Sequence, residues 1–225
     1  MKNILLACWM GLMVSPVLSQ LKERPFQKDI HAFVRQDSLQ APPQEPILFI
    51  GSSSFTFWKE VQKDFPGYTI LNRGFGGSSL TDLIYFAPQV IFAYTPRQIV
   101  IYCGENDLAA TPAATPKEVL HRFRQLFKII RDRWPDMPLV YISIKPSPAR
   151  WQLEPGFVEA NRRISRFLRH KKGAVFLDVH SAMLDSRGET RPELYINDRL
   201  HMNQQGYAIW KSLLGPVLLP DGGTR

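Results

Sequence analysis

The sequence predicts one α/β domain in which helices cover both faces of a mainly parallel, five-stranded sheet. Two observations carry that expectation. Short, nearly continuous apolar runs recur at residues 47–50, 68–71, 98–102, 139–144 and 174–177, the pattern of strands buried on both faces. Segments of helical periodicity lie between them, and such alternation builds three layers, α/β/α. A length of 225 residues suits a single domain of this kind.

The elements follow in order. Lys2 precedes an apolar stretch over residues 4–14, then Pro16, Val17 and Ser19 stand ahead of Gln20. That layout is a secretory signal peptide, residues 1–19, removed after Ser19. The stretch falls short of the ~18 residues a spanning helix needs, which argues against a retained anchor. Too few apolar residues precede Cys8 for a lipoprotein signal. The expectation is therefore an exported protein with no stable membrane insertion. Phe26, Ile30, Phe33 and Val34 recur at helical spacing, so residues 25–37 read as an amphipathic helix. Pro42, Pro43 and Pro46 make the connection after it stiff. Residues 20–45 thus form a helix and linker, and residues 46–220 the main domain. Within that domain, Val119, Leu120, Phe123, Leu126, Phe127 and Ile130 form one stripe of a helix over residues 117–134, and a second helix covers 157–170.

Composition narrows the function classes. Hydrophobic residues make up 44% and charged residues 21% of the chain, as in ordinary globular proteins. The formal net charge of +8 is spread along the chain. Its one dense group, Arg162, Arg163, Arg166, Arg169, Lys171 and Lys172, suits a solvated helix face rather than a nucleic-acid site. Cys103, in an apolar run, reads as a buried, inert thiol, and no disulfide framework is expected. No His-Glu-x-x-His and no clustered Cys/His set occurs, so neither metal nor cofactor is expected.

Ligands of parallel sheets bind beyond the carboxyl ends of the strands, so chemistry should follow the apolar runs. The first run leads into Gly51-Ser52-Ser53-Ser54, the second into a glycine-rich stretch from Asn72 to Ser79, the third into Gly104-Glu105-Asn106-Asp107. The serines could cap a helix, or one of them could be a nucleophile given a base. Glycines at 74, 76 and 77 allow backbone to approach a ligand, and Asn106 could form an Asx turn or offer its amide to the same pocket. Near the C-terminus, Asp198 and His201 are three residues apart, a spacing that lets a carboxylate orient an imidazole. Asp178 and His180 form a rival pair after the fifth run. Lys145, Arg150 and Trp151 follow the fourth run and are candidates for a substrate mouth.

Taken together, Gly51-Ser52-Ser53, Gly77, Gly104 to Asp107 and Asp198 to His201 resemble the SGNH hydrolases, or GDSL esterase/lipase family, and within it the platelet-activating-factor acetylhydrolase-like branch. The resemblance spans about residues 46–215 and implies a flavodoxin-like sheet. It singles out Ser53 among the three serines as nucleophile, with His201 as base and Asp198 as its partner. It likewise implies an oxyanion hole made by the Ser53 and Gly77 amides and the Asn106 side chain. Ser52 stands where the family's name expects aspartate, a branch feature because the triad carboxylate comes from Asp198. The implied activity is hydrolysis of short-chain, chiefly acetyl, esters of carbohydrates or lipids. A non-catalytic carbohydrate- or lipid-binding module, or acyl transfer to a sugar, are the alternative uses of such a fold.

Overall fold

The computed structural model describes residues 24–222, so the expected signal peptide lies outside the described residues. Five strands, β1 (Ile47–Gly51), β2 (Ile70–Gly74), β3 (Gln98–Tyr102), β4 (Leu139–Ile142) and β5 (Ala174–Leu177), form one sheet in the order β2-β1-β3-β4-β5. Every pairing is parallel. The helices are α1 (Gln27–Leu39), α2 (Ser53–Phe57), α3 (Val61–Asp64), α4 (Leu80–Tyr85), α5 (Ala87–Val90), α6 (Glu105–Ala109), α7 (Pro116–Arg133), α8 (Glu154–Leu168) and α9 (Gln204–Leu214). The three-layer architecture and its five parallel strands are as expected.

Alternation along the strands decides which helix covers which face. Leu48 and Ile50 point to the layer of α1, α4, α5, α7 and α8, together with Ile99, Ile101 and Tyr141. Ile47, Phe49, Val100 and Tyr102 point the other way, against Phe55, Trp58, Trp210 and Leu214. Each five-residue run therefore supplies two cores.

Element boundaries depart from the expected ones where polar residues find partners. β2 runs on through Asn72 and Arg73, because the buried Arg73 is paired with Asp37 of α1 and donates from Nε to the Tyr94 hydroxyl (2.6 Å). The same pairing docks α1, whose Ile30 is buried in the core. α8 begins three residues before the expected start, with Pro155 in its first turn, where a missing N–H costs nothing.

The chain leaves β1 toward β2 and then returns past β1 to β3, so the winding reverses between β1 and β3. A crevice opens at the carboxyl ends of two such strands. Ser53 follows β1, and Asn106 follows β3, on its two sides.

Candidate active site

Ser53 opens α2 directly after a turn that only glycine can make. Gly51 has φ 151°, and a Cβ there would sit 2.0 Å from the Tyr102 carbonyl oxygen. The turn buries the Ser52 and Ser54 side chains, each 2% exposed, and leaves Ser53 facing the crevice. Of the three adjacent hydroxyls, Ser53 is the one left accessible. As the first residue of a helix, Ser53 also has an N–H with no intrahelical acceptor.

The imidazole arrives from the connection before α9. His201 Nε2 lies 3.0 Å from Ser53 Oγ, and His201 Nδ1 lies 2.6 Å from Asp198 Oδ2. The second carboxylate oxygen, Oδ1, accepts from the Leu200 and His201 backbone N–H groups, at 2.9 Å each. Arg199, between Asp198 and Leu200, adopts φ 58°, a left-handed conformation that folds the turn tightly at a cost of about 1–2 kcal/mol. Burial alone would raise the Asp198 carboxyl. The His201 ring and the two backbone donors outweigh it and bring the group down to about 2, so the carboxylate is ionised at neutral pH. The Phe57 ring stacks on the imidazole, centroids 4.3 Å apart. Nothing in the sequence marked Phe57 beyond its position in an aromatic stretch.

On the other side of Ser53, a loop of backbone is pinned over the end of β1. Ser78 Oγ donates to the Gly51 carbonyl (3.1 Å), and Phe75 N–H donates to the same oxygen (2.9 Å). Gly77 has φ 85°, which a side chain would strain. Asn106 Nδ2 donates to the Ser78 carbonyl at 3.0 Å, using one of its two N–H bonds. The neighbouring Asp107, 1% exposed, accepts from Leu80 N–H (3.0 Å) and pairs with Arg122 (2.8 Å). Asn106 thus meets the glycine-rich loop at Ser78, and that loop reaches Ser53 at Gly76, where an added Cβ would lie 3.8 Å from the serine Cβ.

A family model described as the GDSL-like lipase/acylhydrolase family matches residues 50–209 of this chain. The chain belongs to that family. It is accordingly a carboxylic ester hydrolase. Solved structures share its fold. One, from Streptococcus pneumonia and described provisionally as a platelet activating factor, is 22% identical, with 85% of this chain and 92% of that chain covered and a TM-score of 0.72. A GDSL-like lipase from Bacteroides thetaiotaomicron is 17% identical, covering 83% and 95%, with a TM-score of 0.71. An acetyl xylan esterase is 14% identical, covering 77% and 99%, with a TM-score of 0.63. No curated protein sequence matches significantly.

In this acylhydrolase, the expected substrate-mouth residues need correction. Lys145 is 1% exposed and lies under the site, its ammonium 3.2 Å from Glu105 Oε2. A carboxylate buried directly after β3 holds it there. Arg150 also turns inward, from a 3₁₀ turn over Pro148–Leu153, to Glu105 and Asn106. Only Trp151 of the three is an exposed side chain. The rival pair does not form. His180 Nε2 lies 2.6 Å from Glu154 Oε1, and Asp178 instead accepts from the Ser181 hydroxyl and N–H. A cavity of about 530 Å³ bounded by Phe57, Ile196, Met202 and Tyr207 adjoins the imidazole side, but neither Ser53 nor His201 lines it. Among the described residues there is no group of acidic, His or Cys side chains arranged to hold a metal ion. None of their helices is long and apolar enough to cross a membrane.

Proposed function

We propose that this chain is an exported esterase in which Ser53, His201 and Asp198 hydrolyse short-chain, chiefly acetyl, esters of carbohydrates or lipids. One observation carries the triad: a single imidazole bridges the Ser53 hydroxyl and the Asp198 carboxylate. A serine hydroxyl is a weak nucleophile until a neighbouring base takes its proton. His201 takes that proton at Nε2 as Ser53 Oγ bonds to the ester carbonyl carbon. Asp198, ionised and fixed at Nδ1, holds the tautomer that leaves Nε2 free and stabilises the imidazolium. The carbonyl oxygen, now negative, meets the N–H groups of Ser53 and Gly77 and the unengaged N–H of Asn106. The carbon–oxygen bond to the alcohol then breaks, and the alcohol leaves with the proton from His201. Water, deprotonated by the same imidazole, releases the acid and restores Ser53.

The small acyl group is supported by fold relatives that include an acetyl xylan esterase and an acetyl esterase. Export rests on residues 1–19. A fluorophosphonate probe should label the wild type at Ser53 and leave Ser53→Ala unlabelled; labelling of the variant overturns the assignment. A panel of nitrophenyl esters and acetylated sugars should show preference for acetyl, and a preference for long acyl chains would refute that part. Amino-terminal sequencing of the mature protein should begin at Gln20.

A further inference from the structure

The proposed triad and oxyanion hole leave unexplained a buried charged group one layer beneath them. Glu105, 5% exposed, accepts from the Tyr102 hydroxyl (2.6 Å) and pairs with Lys145 (3.2 Å) and Arg150 (3.0 Å). Although burial acts to raise its carboxyl, the two cations hold it below the usual range. Charges so buried are expensive unless geometry uses them. The use is visible at the end of the chain of contacts, where Arg150 Nη1 is 3.0 Å from Asn106 Oδ1.

Resting on the oxyanion-hole reading, we propose that Arg150 is a positioning residue that fixes and polarises the Asn106 amide. A guanidinium only donates, so it selects Oδ1; the Ser78 carbonyl only accepts, so it selects Nδ2. Clamped at both ends, the amide has one orientation, and its remaining N–H is the one left for the oxyanion. A cation on Oδ1 draws electron density from the amide and strengthens that N–H as a donor. Glu105, held by Lys145 and Tyr102, fixes Arg150 in turn. The same segment reaches the base side: Ala149 N–H donates to the Arg199 carbonyl (3.0 Å), and the Tyr195 hydroxyl donates to the Pro146 carbonyl (2.6 Å).

The test is a double-mutant cycle in the full chain with Arg150→Met, Asn106→Ala and both together, read as kcat and KM on nitrophenyl acetate. Arg150→Met should lower kcat roughly ten- to thirtyfold, the loss expected for a charge-assisted hydrogen bond. KM should stay within about twofold, as for an interaction realised in the transition state. In the Asn106→Ala background the Arg150→Met loss should disappear. Arg150→Lys, which keeps the charge but not the fork, should recover part of kcat, and it carries the same cycle if the Met variant fails to fold. An undiminished loss without Asn106, or a loss confined to KM, overturns the proposal, because Arg150 would then act on substrate or fold. Fluorophosphonate labelling of the wild type separates the two readings. Labelling with an additive cycle removes only the Arg150 role, whereas no labelling removes the triad and this role with it.

Discussion

The two sides of the Ser53 hydroxyl are held by opposite means. On the base side, Asp198 and His201 are three residues apart, joined by a side-chain contact and two backbone donors within one turn. The Asp198 side chain is 42% exposed, and the turn lies outside the sheet. On the oxyanion side, the contacts span far more sequence and are largely buried: Ser78 to Gly51, Asn106 to Ser78, Asp107 to Leu80, Arg150 to Asn106. In the proposed mechanism the base moves protons and needs an unobstructed Nε2, which a local turn can present. The oxyanion donors must be in place before charge develops, and fixed dipoles come from a packed scaffold. Chemistry and stability should therefore separate on the base side and coincide on the oxyanion side.

The largest effect should come from the proposed base itself. His201→Ala should cut kcat on the order of 10⁶-fold, comparable with loss of the nucleophile in other triads, and Asp198→Ala on the order of 10⁴-fold. Because the Asp198 turn is exposed and local, the Asp198 variant should lose no more than about 1 kcal/mol of stability in denaturant titration. A large stability loss there would break the contrast. Asp107→Ala inverts the pattern. Leaving the buried Leu80 N–H without its acceptor, and the partly exposed Arg122 without its partner, should cost about 2–3 kcal/mol in the same titration, with activity falling only as the loop over Gly77 loosens. Asn106→Ala sharpens the comparison further. It should lower kcat by about 10²–10³-fold, the usual loss for one oxyanion donor, with little change in KM. An unchanged kcat would remove Asn106 from the hole.

This contrast also explains what was legible in the sequence. Strands buried on both faces betray themselves as apolar runs, as β1, β3 and β4 do; the edge strand β5, with Val175 38% exposed, was visible because its residues are nonetheless all apolar. The Asp198–His201 pair was visible because its geometry is local. Ser53 could be told from Ser52 and Ser54 only by resemblance, since the burial that distinguishes them depends on Gly51 lying against Tyr102 of another strand. Lys145 was misread for the same reason. A lysine after a strand suggests a solvated loop, and only the fold reveals that Glu105, 40 positions away, waits beneath it. Phe57 left no signal at all, because its stacking on His201 joins residues on separate elements.

The smallest effect concerns pH and tests whether the base turn is as self-contained as it looks. The Asp198 carboxyl is lowered to about 2 in the folded protein, against an ordinary value of about 3.9 in an unfolded chain. A depressed carboxyl stabilises the fold above the unfolded value, and that contribution fades as pH falls from about 4 through about 2. Exposure of the side chain keeps the contribution small. The direct measurement is the titration of the Asp198 side-chain carboxyl carbon by NMR, with a midpoint expected near 2. Removing the imidazole while keeping the backbone donors, in His201→Ala, should move that midpoint upward but not all the way to the ordinary value, since the Leu200 and residue 201 N–H groups still donate. A midpoint at the ordinary value in the wild type would mean that the turn is open in solution and that the base side, like the oxyanion side, depends on something packed against it.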